Sequence, residues 1–249
     1  MQTVSYAEKE ANRFKRGQGW KVNLFGQNSD VPTGDLQAYR IDMDAGMVLD
    51  THLHIVDQFQ LFFAGSGKMG PRNIEMITAH YADHHTAYGP LVAGPQGMSY
   101  LTLRPKTDAG LIKISRPDIR DLLQPTKRRH RTSTPIILSI SPVLRHRKEV
   151  AIETVMEAKP DDSGMTCIVY RMGPGALADA PHPGLGGGYY IVVMNGSLQT
   201  DAGLLGPWSL VFVAPGDQAP PMRAGEEGLE ALIAVFPAHD DWMRHLGAE

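Results

Sequence analysis

Two histidines one residue apart, His52 and His54, are the side chains whose type and spacing point most directly to chemistry. They close the segment 46–54, which has the composition of a β-strand. Residues i and i+2 of a strand point to the same face, so the two imidazoles are predicted to project together. Neutral imidazole is a common ligand for zinc, copper, iron and nickel. The pair therefore predicts a metal site in a β-rich fold.

The residues around the pair extend the pattern. Gly46 lies six positions before His52, and Gln58 lies four positions after His54. With Gly65 seven positions further on, the spacing resembles the first motif of the cupin superfamily, G-x5-H-x-H-x3(4)-E-x6-G, with glutamine in place of its glutamate. The resemblance implies a small β-barrel whose two motifs supply three histidines and a carboxylate to one metal ion. An amide oxygen is a weaker donor than a carboxylate, so Gln58 would leave the ion with one more positive charge.

A third histidine is expected from a second motif, and three candidates follow the first one. His80, His84 and His85 lie 15, 19 and 20 residues after Gly65. The longer separations agree better with the equivalent spacing in the second half of the chain, which favours His85 and then His84. Residues 74–80 alternate as a strand, which keeps His80 as an alternative. Adjacent strand residues point in opposite directions, so only one of His84 and His85 is expected to bind metal.

Further polar side chains are predicted to line a substrate pocket: Gln60, Tyr88, Tyr100 and Arg104. Gln58 is expected either to bind the metal or to hydrogen-bond to one of its ligands. Tyr100, Thr102 and Arg104 share one face of a strand. If that face is inward, Arg104 would hold a carboxylate or enolate oxygen; if it is outward, Arg104 is a solvated charge. Catalytic roles are assigned to Gln58, Tyr88 and Arg104.

The elements that must position these residues are short strands punctuated by Gly, Pro, Asn and Asp, with turns expected at 65–67 and 94–97. The apolar runs predict strands at 21–25, 36–43, 58–63, 73–80, 99–104, 111–114, 149–158, 165–172, 189–194, 210–213 and 229–236. Many short strands with no helices between them favour an all-β sandwich or barrel. Short helices are predicted near the termini, at 5–16 and 240–246.

An internal repeat divides the chain. A shift of 131 residues brings Gly65 onto Gly196 and residues 93–97 onto residues 224–228. With the histidine motif, the duplication resembles a bicupin, which implies two cupin-type β-barrels (double-stranded β-helices, or jelly rolls) in tandem. We predict an N-terminal barrel with the metal site, a basic linker and a C-terminal barrel, with boundaries at 1–120, 121–148 and 149–249.

The second barrel is predicted to carry no metal, because the shift places non-ligating residues at the motif positions. Those residues are Pro183, Leu185 and Tyr189, with Pro220 where the second motif would have its histidine. The expected role of this barrel is structural, either in pairing the barrels or in forming a homodimer.

Composition narrows the function classes. The 249 residues carry a formal net charge of -3, which predicts no general attraction to nucleic acid or to anionic membranes. The basic segment 122–148 has no interleaved aromatic residue and is interpreted as a solvated connection rather than a nucleic-acid site. The single cysteine, Cys167, is expected to be buried and unreactive. No segment resembles a signal peptide or approaches the roughly 20 apolar residues that span a bilayer, so a cytoplasmic protein is expected.

The resemblance implies a metal-dependent enzyme that acts on a small oxygenated organic substrate. With iron(II), which we favour, the predicted reaction is a dioxygenase-type cleavage of an enol or diketone. With zinc, manganese or nickel, the same site would support isomerase, lyase or hydrolytic chemistry through Lewis acidity. The alternative from a different class is a bicupin that binds a small molecule without turning it over.

Overall fold

The computed structural model describes residues 1–27, 29, 31, 33–75, 77–124, 126, 128–160, 163–183 and 186–238. Antiparallel strands dominate these residues, which confirms the all-β prediction. The described helices are short: α1 (Tyr6–Glu10), α2 (Ile119–Leu122) and α3 (Ser141–Arg145). None of them has the length and apolar character needed to cross a membrane.

The strands follow one another closely along the chain. In order they are β1 (Gln2–Val4), β2 (Phe14–Lys15), β3 (Gly19–Phe25), β4 (Gln37–Met43), β5 (Val48–Leu49), β6 (His52–Leu53), β7 (Gln58–Met69), β8 (Arg72–Ile74), β9 (Thr78–Ala82), β10 (Leu91–Arg104), β11 (Ile112–Lys113), β12 (His130–Thr132), β13 (Ala151–Met156), β14 (Thr166–Met172), β15 (Leu177–Asp179), β16 (Tyr189–Thr200), β17 (Gly203–Leu205), β18 (Leu210–Val213) and β19 (Pro221–Val235).

The chain forms two compact units. The N-terminal unit comprises Ala7–Ile137, and the C-terminal unit comprises Met1–Tyr6 together with the chain from Leu138 onward. In the N-terminal unit the main sheet has the order β12-β9-β7-β10-β4-β3-β2, with β8 on β7, β5 on β10, and a separate β11-β6 ladder. In the C-terminal unit the order is β1-β18-β16-β19-β14-β13, with β17 on β16 and β15 on β19.

The two sheets repeat one another, as the 131-residue shift predicts. The pairs β7/β10 and β16/β19 form the central ladders, and each is flanked by strands in the same order. Gly65 and Gly196 have φ values of 72° and 68°, a conformation open mainly to glycine. A side chain at either position would collide with the carbonyl oxygen of Gly97 or Gly228, respectively. The aligned glycines therefore occupy the same structural position in both units.

The turns predicted at 65–67 and 94–97 are instead parts of long strands. β7 and β10 continue through both segments, and their pairing shifts register between Ala93 and Met98. Glycines with positive φ form β-bulges that bend a strand without ending it, which is why glycine punctuation reads as a turn in the sequence.

The domain boundaries differ from the predicted ones for a reason visible in the pairing. β1 pairs with β18, so the first residues of the chain belong to the C-terminal unit. β12 pairs with β9, and Ile136 bridges to Ile77, so the first part of the predicted linker belongs to the N-terminal sheet. Further along, Leu144 is buried in the C-terminal unit beside Gly228. Residues 121–148 are thus divided between the two units.

The helix predictions were only partly correct. The helix expected at 5–16 is limited to Tyr6–Glu10, and Phe14–Lys15 forms a strand with β3. Gly17, two residues after the end of β2, has a φ of 58°, a conformation typical of a tight connection rather than a helix. The helix predicted at 240–246 lies outside the described residues.

Candidate active site in the N-terminal barrel

The two motif histidines converge within the N-terminal unit. His52 is on β6, where it pairs with Lys113 of β11. On its other side, backbone hydrogen bonds join it to Tyr88, from His52 N to Tyr88 O at 3.1 Å and from Tyr88 N to His52 O at 2.9 Å. His52 and His54 are both buried, and their ring centroids lie 5.2 Å apart with the planes at 85°. The predicted projection to a common side is therefore present.

The tautomer of His52 is set by its neighbours. Its Nδ1 lies 2.6 Å from the carbonyl oxygen of Asp50, which can only accept, so Nδ1 carries the proton. Burial is the main factor that lowers the pKa of His52, which favours the neutral ring. Its Nε2 is therefore a lone-pair donor, and it accepts a hydrogen bond from the Tyr88 hydroxyl at 2.9 Å.

His54 is held in the same tautomer by a carboxylate. Its Nδ1 lies 2.8 Å from Oδ1 of Asp108. Burial, reinforced by the nearby Arg104 charge, lowers the pKa of His54 to about 4, so the ring is neutral and Nδ1 donates to the carboxylate. Burial alone would raise the pKa of Asp108, but Arg104 and the His54 hydrogen bond outweigh it and lower the pKa to about 2. No described residue hydrogen-bonds to His54 Nε2, and His54 lines the adjoining cavity.

Tyr88 and Gln58 complete a directed hydrogen-bond chain. The Gln58 amide nitrogen donates to the Tyr88 oxygen at 2.6 Å, which leaves the Tyr88 hydrogen for His52 Nε2. The Gln58 oxygen accepts from both Nε and Nη2 of Arg104, at 3.0 and 2.8 Å. Burial raises the pKa of Tyr88 well above its ordinary value, so the phenol keeps its proton. Gln58 therefore orients Tyr88 and Arg104 rather than presenting its oxygen as a metal ligand.

Arg104 is wholly buried and points inward, which resolves the two predicted orientations of its strand face. It is fixed by Gln58 and by the Gln37 oxygen, which accepts from Nη1 at 2.5 Å. Its Nη1 also lies 3.5 Å from the Asp108 carboxylate. Tyr100 and Thr102 line the same cavity as Arg104. Asp108 thus links the guanidinium to His54, and Gln58 links it to Tyr88.

A cavity of about 490 Å³ opens beside these groups. Its volume lies in the range of pockets that hold small organic ligands. His52, His54, Tyr88 and Arg104 line it on one side, and the predicted pocket residue Gln60 does so as well. The two imidazoles and a buried cation therefore line the same cavity.

The other predicted histidines lie elsewhere. His80 is buried behind Tyr88, with the rings 5.4 Å apart, and its Nδ1 is 3.2 Å from the Gln60 oxygen. His84 Nδ1 is 2.8 Å from the Asp57 carboxylate. His85 reaches His54 only through its backbone N–H, and it lies in a tight turn with a φ of 54°. None of these three histidines lines the described cavity, whereas Tyr88 does.

Several residues of the site were not identified from the sequence: Asp108, Gln37, Lys21, Tyr39 and the Asp50 carbonyl. Asp108 and His54 are 54 positions apart, and no local pattern relates them. Lys21 did carry a signal, because it alternates with the buried apolar residues Val22 and Leu24 and so faces the other side of β3.

The donor set can be compared with the requirements of a divalent cation. Metal-ligating histidines usually donate the second ring N–H to a carbonyl or carboxylate, as both His52 and His54 do. A ring separation of 5.2 Å suits a shared ion, because metal–nitrogen bonds of about 2.1 Å place two imidazole rings about 5 Å apart. Among the described residues no group of three His, Cys, Asp or Glu is placed to hold a metal. A further oxygen beside His52 is that of Tyr88, but this phenol is protonated and already hydrogen-bonded to His52 Nε2.

Solved structures share the fold of the chain. The Lactobacillus farciminis oxalate decarboxylase in its formate complex is 11% identical, with a TM-score of 0.60 over 95% of this chain and 86% of that one. A mutant of the Bacillus subtilis oxalate decarboxylase is 11% identical, with a TM-score of 0.56 over 96% of this chain and 78% of that one. No protein-family model and no curated protein matches the chain. At this identity the likeness shows the fold alone, and it confirms the predicted pair of cupin barrels.

Proposed function

Starting from a bicupin fold with a polar cavity in its N-terminal barrel, we propose that this barrel is a metal-dependent enzyme site for a small oxygenated organic substrate. The observation that carries the proposal is the matched anchoring of two buried imidazoles, each with Nδ1 hydrogen-bonded to an oxygen and both in the lining of the cavity. His52 and His54 would hold the ion through Nε2 once the Tyr88 hydroxyl gives up its hydrogen bond to His52. The bound ion would act as a Lewis acid toward a substrate oxygen.

The remaining residues position the substrate and hold protons. Arg104 offers a guanidinium to a substrate carboxylate or enolate oxygen, and Gln58 and Gln37 fix its orientation. Asp108 keeps His54 in the tautomer that leaves Nε2 unprotonated. Tyr88 holds a proton at its phenolic oxygen, directed at His52 Nε2. Burial of all these groups excludes bulk water and strengthens their electrostatic interactions.

The identity of the metal and the reaction class are proposed from the fold neighbours. The Bacillus subtilis oxalate decarboxylase has Mn(II) centres, which supports a divalent ion such as manganese rather than the iron(II) favoured from the sequence. The decarboxylation named for these fold neighbours is a lyase reaction on a small organic acid. We therefore rank a non-redox lyase reaction ahead of the predicted dioxygenase reaction for this cavity.

Metal analysis tests the proposal directly. The full chain, produced in medium containing manganese, iron and zinc, is expected to contain about one equivalent of a divalent metal. His52→Ala should reduce the metal content at least tenfold, because one of two imidazole donors is removed. His182→Ala, which changes an exposed histidine of the C-terminal unit, is the matched control and should have no effect. Equal metal content in His52→Ala and the unaltered protein would contradict the site.

Turnover is then measured with a panel of small organic acids, enols and diketones. Release of carbon dioxide without oxygen uptake indicates a lyase, whereas stoichiometric oxygen uptake indicates a dioxygenase. The predicted homodimer is tested on the same preparation by light scattering.

One observation favours a second candidate, a bicupin that binds a small molecule without a metal. Tyr88 satisfies His52 Nε2, and Arg104 satisfies the Gln58 oxygen, so the hydrogen-bond chain is closed without a cation. A protein that lacks metal, keeps its fold and binds organic acids without converting them would establish this alternative.

A further inference from the structure

A second buried cation lies in the same cavity as Arg104. Lys21, on β3, pairs with Ile41 of β4, and only 2% of its surface is exposed. Its Nζ lies 3.8 Å from the centre of the Tyr39 ring. The Arg104 guanidinium carbon lies 5.5 Å from the centre of the same ring. Tyr39 therefore contacts both cations, and all three side chains line the cavity.

The described lining of the cavity has an excess of positive charge. Arg16, Lys21 and Arg104 are its cationic members, and Asp108 is its carboxylate. Both oxygens of Asp108 are already engaged within the protein. Oδ1 accepts from His54 Nδ1 and from the backbone of Gly110, and Oδ2 accepts from the backbone of Ile55. Asp108 therefore serves both His54 and Arg104, whereas the charges that act on Lys21 are those of Arg16 and Arg104.

Two buried cations in the lining of one cavity, such as Lys21 and Arg104, are costly unless anions accompany them. Burial and the charges of Arg16 and Arg104 lower the pKa of Lys21 to about 7. A ligand carboxylate beside Lys21 and Arg104 would offset both the desolvation and the mutual repulsion of the two cations. A guanidinium binds a carboxylate through parallel N–H donors, and an ammonium adds a point charge.

We propose that Lys21 and Arg104, arranged around Tyr39, form an anion subsite that binds a carboxylate of the substrate while the other, oxygenated end of the substrate reaches His52 and His54. The substrate class is accordingly a small organic acid with a second oxygen function, such as a dicarboxylate. This inference rests on the proposed function only for the role of the histidine end; the anion subsite itself needs no metal.

The test uses malonate as the probe and its uncharged diamide, malonamide, as the matched ligand. Titration calorimetry on the full chain should show malonate binding and no comparable binding of malonamide. Lys21→Met keeps the length of the side chain and removes its charge, and it should weaken malonate binding roughly 10- to 100-fold, the range for a charge-assisted contact. Lys21→Arg should restore most of the affinity. Lys68→Met, which removes an exposed lysine from β7, is the control and should bind malonate normally.

Three results would overturn the anion subsite. They are equal affinity of the unaltered protein for malonate and malonamide, no malonate binding up to millimolar concentrations, and normal malonate binding by folded Lys21→Met. The first two use the unaltered protein, so the test does not depend on the folding of a variant. Metal content is measured on the same samples. If the protein contains metal but binds malonate equally well without Lys21, only the subsite is refuted. If the protein lacks metal but malonate binding depends on Lys21, the metal site is refuted and the subsite is supported.

Discussion

At equivalent positions of their central strands, the N-terminal barrel carries polar side chains and the C-terminal barrel carries apolar ones. In the N-terminal unit Gln60 pairs with His80 on one side and Thr102 on the other. In the C-terminal unit Ile191, 131 residues later, pairs with Val211 and Ile233. These three residues belong to a buried apolar cluster that also contains Tyr189 and Val235, the counterparts of Gln58 and Arg104.

The difference shows that strand pairing and interior chemistry are separable in this fold. Backbone pairing, bulge glycines and strand order are common to both units, while the side chains at these equivalent positions are polar in the N-terminal unit and apolar in the C-terminal unit. An apolar interior stabilises a barrel by removing hydrocarbon from water, whereas a polar interior must satisfy every buried donor and acceptor. The N-terminal barrel meets that requirement with Asp108, Gln58 and Gln37 around Arg104.

The largest expected effect comes from moving the arginine between the barrels. Val235→Arg places a guanidinium at the position equivalent to Arg104, but among apolar neighbours that offer it no comparable partners. An uncompensated buried charge costs about 3–5 kcal/mol, so the free energy of unfolding measured with urea should fall by about that amount. Val235→Leu is the control and should cost far less. A loss below about 1 kcal/mol for Val235→Arg would show that the C-terminal interior tolerates polar groups.

Replacing Asp108, the carboxylate that anchors His54, should have the next largest effect. Asp108→Asn removes the charge that holds His54 Nδ1–H, although an amide oxygen can still accept the hydrogen bond. Partners of this kind typically contribute 10- to 100-fold to metal affinity, so manganese binding measured by calorimetry should weaken by about that factor. Asp118→Asn changes an exposed carboxylate of the same unit and serves as control. Unchanged affinity in Asp108→Asn would remove Asp108 from the site.

The pH dependence of anion binding is expected to be somewhat smaller. The pKa of Lys21 is lowered to about 7, so its side chain is charged below that pH and neutral above it. Malonate affinity should therefore fall as the pH rises through 7, by roughly tenfold once the ammonium is lost. Lys21→Arg stays charged and should flatten this decline. A malonate affinity that rises with pH across the same interval would contradict the assignment.

The smallest effect is a gain of stability when the N-terminal interior is made less polar. The pKa of Lys21 is lowered in the folded state, so the cost of burying the charge is complete below pH 7 and disappears as the pH rises toward the unfolded-state value. Lys21→Met should stabilise the protein by about 1 kcal/mol at pH 6, or roughly 2–4 °C in Tm, after allowance for water in the open cavity. The gain should shrink at pH 10. Lys68→Met should show no such gain.

Much of the fold and part of the site could be predicted from the sequence. His52 and His54 were placed correctly because alternation within a strand is a local rule. The central strands and the repeat followed from periodic apolar residues and from the paired glycines Gly65 and Gly196. Tyr88, Gln60 and Arg104 were expected in the pocket, and the structure places all three in the lining of the cavity.

The errors concern contacts between distant segments. The third histidine was sought by counting residues, but none of the three candidates lies in the cavity lining, and Tyr88 comes next to His52 through strand pairing. Asp108 reaches His54 across 54 positions, and Lys21 reaches the cavity from β3, a strand that the histidine motif does not include. No periodic pattern in the sequence predicts contacts between segments this far apart in the chain.

β1 has a consequence for how the chain can be divided. Gln2 pairs with Phe212, so β1 completes a sheet whose other strands come from the C-terminal half of the chain. A fragment that starts at Leu138 would lack that strand and leave the edge of β18 uncovered, a template for aggregation. A synthetic peptide of residues 1–6 should then act as a detachable edge, restoring solubility to the fragment by complementation in trans.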